Sequence, residues 1–62
     1  MPTVHIDMFE GRTIDQKRDM VKKVTEAIVS SLNVTPDVVT IIINDMAYHN
    51  YAKGGVLRLD WK

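Results

Sequence analysis

Sixty-two residues leave room for one small domain, and a lone domain of that size buries only about 60% of the surface its unfolded chain exposes. Eight basic residues offset eight acidic ones, so the cationic excess of a phosphate-backbone binder is missing, and an apolar share of 45% beside a charged share of 26% excludes disorder. With no cysteine, two scattered histidines and no apolar run near the ~20 residues of a membrane span, disulfides, a zinc set and a spanning helix are set aside. Oligomerisation is the reinforcement that remains for so short a chain.

The chain opens Met1-Pro2. Removal of Met1 turns Pro2 into a secondary amine, a candidate general base or nucleophile, whereas an internal prolyl nitrogen is an amide with neither a proton nor a usable lone pair. No charged-then-apolar leader is present, and a cytoplasmic location is the default expectation. From Thr3 to Phe9 the residues alternate, Val4, Ile6 and Met8 on one face and Thr3, His5 and Asp7 on the other, which predicts a strand whose apolar face meets a helix. Gly11 is suited to a positive φ that turns the chain out of that strand, and Arg12 sits at the turn.

Thr13-Ile14-Asp15-Gln16 matches a capping box and marks a helix start. Apolar residues then recur at Met20, Val21, Val24, Ala27, Ile28 and Leu32, with Lys17, Arg18, Lys22, Lys23 and Glu26 mostly elsewhere around the wheel, so an amphipathic helix ends near Leu32. Asn33 is a left-handed terminator and Pro36 prevents continuation. Residues 38–44 are rich in β-branched side chains on both faces, the pattern of a strand covered above and below. Strand, helix and strand in this order predict parallel pairing with a right-handed crossover, one face covered by the helix and the other by a second subunit. Residues 46–51 are mixed and polar; Lys53-Gly54-Gly55-Val56 predicts a glycine turn and a short alternating tail through Val56, Leu57, Arg58 and Leu59 that lies on a neighbouring chain. One domain spans residues 1–62, with no internal repeat or linker.

Met-Pro at the start, a strand ending Phe9-Glu10-Gly11-Arg12, the Thr13-x-x-Gln16-Lys17 helix entry and Tyr51-x-x-Gly54-Gly55 occur in order along the whole chain. Together they resemble the short-subunit tautomerase superfamily, the 4-oxalocrotonate tautomerase (2-hydroxymuconate tautomerase) family. The resemblance implies an α+β, two-layer β-α-β subunit with parallel strands. It also implies a dimer with a four-stranded sheet backed by two helices, and a homohexamer built as a trimer of dimers with sites shared between chains. It implies a cofactor-free isomerase of aromatic hydrocarbon catabolism, converting a small dienol acid to its conjugated ketone, while the charge balance and the lack of a long apolar run set nucleic acid and membrane aside as partners. Pro2 is then the base, Arg12 holds a substrate carboxylate, and Phe9, Thr40 and Tyr51 line the site.

Those roles have a physical basis. An ordinary α-amine titrates at about 7.7–8.0, so a base working at neutral pH needs a lowered value. Burial against Phe9, Tyr51 and the β-branched strand, together with a nearby guanidinium, lowers it. Arg12 suits a carboxylate because its planar fork reaches both oxygens and stays charged. Where the family carries a second arginine after the helix, this chain has Thr40. Loss of one preorganised donor costs about 10²–10³ in rate, and Lys53 and Arg58 are the tail cations available to replace it.

Other readings stay open at this level. A protonated Pro2 would serve hydration or dehalogenation of an unsaturated acid, which needs Asp7 or Asp45 to activate water. Thr40 is also consistent with a non-catalytic oligomeric binding protein of the same fold, or with a partner chain that supplies the missing arginine. His5 and His49 read as strand-face and loop residues, the triplet Thr3, His5 and Asp7 as subunit contacts, and Met20 and Met46 as filler.

Overall fold

The computed structural model describes residues Met1–Lys62. Strand β1 (Thr3–Phe9) leads into helix α1 (Ile14–Leu32), which returns the chain to strand β2 (Thr40–Met46). The two strands pair in parallel and in register, Thr3 opposite Thr40 at one end and Phe9 opposite Met46 at the other. Alternation along both strands is as the sequence predicts: Val4, Ile6, Met8, Ile41 and Ile43 are half-buried, while Thr3, His5, Asp7, Thr40, Ile42 and Asn44 are exposed. The half-buried set forms one layer against α1, giving the two-layer α+β arrangement.

The entry to α1 is built by the capping box. The Gln16 amide donates to Thr13 Oγ1 at 3.1 Å, the Thr13 amide donates to Gln16 Oε1 at 2.9 Å, and two otherwise unpaired helix donors are satisfied. Asn33 closes the helix at φ 55°, the left-handed conformation expected of it. The inner face differs in detail from the expected stripe. It carries Lys17, Met20, Val21, Val24, Thr25, Ile28 and Val29; Ala27 lies outside it, and Ile14 and Leu32, at the helix ends, are 67% and 58% exposed. Lys17 turns inward because its ammonium pairs with the Asp45 carboxylate on β2, so its stem covers apolar surface while its charge ties the helix to the sheet.

Expectation and structure also part at β2. The strand starts two residues later than residue 38, because Pro36 opens a 3₁₀ turn over Pro36–Val38 in which the amides of Val38 and Val39 bond back to Thr35 and Pro36. It runs on to Met46, held by the Glu10 amide donating to the Met46 carbonyl at 2.9 Å. A second 3₁₀ turn, Tyr48–Asn50, leads to a hairpin of β3 (Ala52–Lys53) and β4 (Val56–Leu57). Its two-residue turn has Gly54 at φ 58° and Gly55 at φ 81°, which only glycine or asparagine readily adopts in succession. Arg58 is not in the tail strand as expected but begins a third 3₁₀ turn, Arg58–Asp60. The tail folds back on its own chain's β1 end through aromatic contacts described below, while Leu59 stays 62% exposed.

No residue of the protomer is fully buried. A compact 62-residue domain has a radius of gyration of about 11 Å, against 14.9 Å observed along a body of 43 × 24 × 15 Å. The accessible surface is 4927 Å², where a folded monomer of this mass presents about 4,100 Å². Ile42 is 46% exposed on the sheet face away from α1, so β2 is covered on one side only within the chain. No helix is long and apolar enough to cross a membrane. Replacing Thr13 with Ala removes the cap from the helix that covers the sheet; the expected loss is about 1 kcal/mol, read as a lowered urea midpoint with an unchanged denaturant slope.

Candidate active site

The residues singled out in the sequence fall into two groups at opposite ends of β1. At the first end, the Pro2 carbonyl accepts a hydrogen bond from the Thr40 amide at 3.0 Å, and the amine of Met1 donates to the Val38 carbonyl at 2.9 Å. Pro2 is half-buried, and Thr40 starts β2 beside it with its side chain exposed. Asp37 stands in the adjoining 3₁₀ turn. Its carboxyl is held below the usual aspartate range by a hydrogen bond from Thr35, then by its own backbone amide, so it is an anion at neutral pH.

At the second end, every aromatic residue of the chain gathers in one cluster. The Phe9 ring meets Tyr48 edge to face at 4.9 Å and Tyr51 at 5.2 Å, and Tyr51 meets Trp61 at 5.8 Å. Gly11, at φ 117°, turns the chain out of β1 and brings Arg12 into two adjoining clefts. One, of about 320 Å³, is lined by Met8, Arg12, Gln16, Lys17, Asp19 and Met20. The other, of about 460 Å³, is lined by Met8, Phe9, Glu10, Gly11, Arg12 and Tyr48. Arg12 is exposed, and its guanidinium makes no ion pair or hydrogen bond with the protein.

The strand rise places Phe9 about 23 Å from Pro2, far beyond the span of a small acid. Within one chain Pro2 and Thr40 come together, and Phe9, Arg12 and Tyr48 share a cleft with Tyr51 edge to face against Phe9, but the two groups do not meet. The expected burial of Pro2 against Phe9 and Tyr51 is therefore not formed inside a protomer, because one extended strand holds them apart. Tyr48 and Trp61 were not recognised from the sequence as parts of this end. The available signal was compositional: three of the chain's four aromatic residues lie in its last fifteen positions, beyond the strands and helix.

Asp7 accepts a hydrogen bond from the Asn44 amide nitrogen at 3.2 Å, and Asp45 is paired with Lys17, so both carboxylates considered for water activation already have partners. His5 lies on the outer face of β1 and His49 in the second 3₁₀ turn, and no group of three or more potential ligands is placed to hold a metal ion.

Residues 2–58 match the family model described as tautomerase enzyme. A probable tautomerase of Streptococcus pneumoniae serotype 4 is 47% identical over 58 residues, 94% of this chain and 97% of that protein. The 2-hydroxymuconate tautomerase of Bacillus subtilis is 40% identical over 55 residues, 89% of each chain. The crystal structure of YwhB, a homologue of 4-oxalocrotonate tautomerase, superposes with a TM-score of 0.90 at 36% identity, covering 98% of this chain and 100% of that one. With the β-α-β fold, the Pro2 strand start and the Arg12 turn all inside the matched span, the chain belongs to the tautomerase family.

Proposed function

We propose that this protein is a homo-oligomeric, cofactor-free tautomerase that interconverts the dienol and conjugated keto forms of a small unsaturated acid such as 2-hydroxymuconate. Pro2, freed by loss of Met1, is the general base. The observation that carries this reading is the division of one candidate site between the two ends of β1, each end exposed and each chemically incomplete. A second protomer that lays its Arg12 end against the first protomer's Pro2 end completes the site. The surface of a single chain exceeds that of a folded monomer of the same mass by about 800 Å², one partner's share of a standard interface. The activity named for the Bacillus subtilis relative supports the choice of substrate class.

In this reading the Pro2 amine takes the proton of the enol hydroxyl, the electron pair moves through the conjugated double bonds, and the proton returns to carbon. Atoms and electrons balance without an oxidant or a cofactor. Arg12 engages a carboxylate of the substrate in a bidentate pair, as its unpaired guanidinium and its cleft allow. The same guanidinium, brought near Pro2 by assembly, disfavours the prolyl ammonium and moves the amine toward a useful pKa. Phe9, Tyr48 and Tyr51 supply an apolar wall that keeps water from the conjugated chain, and Thr40 leaves room on the far side. Hydration or dehalogenation is less well served, since Asp7 and Asp45 are engaged elsewhere.

Three outcomes test the proposal, all with protein whose intact mass confirms loss of Met1. Pro2→Ala is expected to lower kcat for ketonisation of 2-hydroxymuconate by about 10²–10⁴, with an unchanged elution volume in gel filtration; retained activity would remove Pro2 as the base. Arg12→Ala is expected to raise KM and lower kcat/KM for carboxylate substrates, and an unaltered KM would count against the anchor. Because folding and association are linked, Tm is expected to rise with protein concentration; a concentration-independent Tm with a monomeric elution volume would sink the shared site.

A further inference from the structure

Arg58 stands out at the aromatic end. Its guanidinium lies over three ring faces at once, 4.8 Å from the centre of Trp61, 5.4 Å from Tyr48 and 6.0 Å from Phe9. Its backbone amide donates to the Tyr51 carbonyl at 2.7 Å, so main chain and rings both fix its position. A ring attracts a guanidinium through its quadrupole but offers its N–H groups no oxygen acceptor. No carboxylate or carbonyl of the chain takes those donors, although the residue is half-buried. A preorganised cation with unused donors is a site for an anion.

Its neighbours say which anion. Phe9 and Tyr48, whose rings lie beside the Arg58 guanidinium, also line the cleft that holds Arg12. Two unpaired guanidiniums therefore adjoin the same two rings, Arg12 in the cleft lining and Arg58 beside the rings, and a ligand carrying two negative charges complements both. Lys53, another tail cation, reaches only Trp61, at 5.8 Å, and Thr40 brings no charge. We propose that Arg58 is the second anion-binding residue of the substrate site, standing in for the arginine that Thr40 replaces, and that it makes the site select dicarboxylates over monocarboxylates. The assignment deepens the tautomerase reading and rests on it for the identity of the site.

The test uses binding, so that it does not depend on turnover. Muconate and sorbate share a conjugated diene and differ in one carboxylate, and neither has an enol to react. Trp61, the only tryptophan, reports binding by its fluorescence because the Arg58 guanidinium lies 4.8 Å from its ring centre. The protein is expected to bind muconate about 10- to 100-fold more tightly than sorbate, the range of one charge-assisted contact. Arg58→Met keeps an apolar stem among the rings and is expected to abolish that preference while leaving sorbate affinity within about threefold. Arg58→Lys keeps the charge without the fork and is expected to retain part of the preference; if the Met variant fails to assemble, an undiminished preference in an assembled Lys variant overturns the assignment. No preference in the unaltered protein, or a preference that survives Arg58→Met, overturns it as well. A protein that ketonises 2-hydroxymuconate yet binds muconate without regard to Arg58 refutes this inference alone. One that discriminates through Arg58 but has no activity refutes the tautomerase reading alone.

Discussion

The parallel, in-register pairing of β1 with β2 decides most of what this small chain is. It sets Pro2 beside Thr40 at one edge and Phe9 beside Met46 at the other, and nothing in so short a strand can bend those edges together. Parallel pairing in turn requires a crossover, and the nineteen residues of α1 supply it while covering one face of the sheet. Pinned at its start by the capping box and tied in the same first turn by Lys17 to Asp45, the helix leaves the sheet's other face, with His5 and Ile42, open.

That openness is a thermodynamic statement about the protomer. Burial is the main favourable term in folding, and a chain in which every side chain keeps some contact with water has little of it to set against conformational entropy. Disulfides and a thiolate metal site are unavailable without cysteine. Association is the remaining source of burial, and the proposed shared site makes the same event complete the chemistry. Stability and activity then depend on one interface, which is consistent with the exposed apolar residues lying at the helix ends, the outer sheet face and the tail.

The aromatic end shows how a cation can be held without a counter-ion. Arg58 is positioned by ring faces and one backbone bond, and Arg12 by a glycine turn, so neither charge is neutralised inside the chain. Charged groups left this way are costly to desolvate unless an anion arrives. The arrangement suits the acidic substrate proposed above.

Local structure was legible in the residues themselves. Alternation marked β1, the Thr13–Gln16 box and Asn33 marked both ends of α1, Gly54-Gly55 marked the hairpin, and the order of these signals carried the family resemblance, because each depends on near neighbours in the chain. Asp45 drew Lys17 to the inner helix face, Phe9 and Met46 extended β2, and the rings drew Arg58 out of a strand, all contacts distant in sequence, whereas the late start of β2 came from the local turn at Pro36. The sequence by itself determined β1, α1, the glycine turn, the parallel pairing and the family. Only the tertiary structure decided that Pro2 and Arg12 lie at opposite ends of one strand, and that Arg58 shares an aromatic wall with Arg12. Spacing along a chain sets local periodicity, while the meeting of residues tens of positions apart depends on how packed elements face one another.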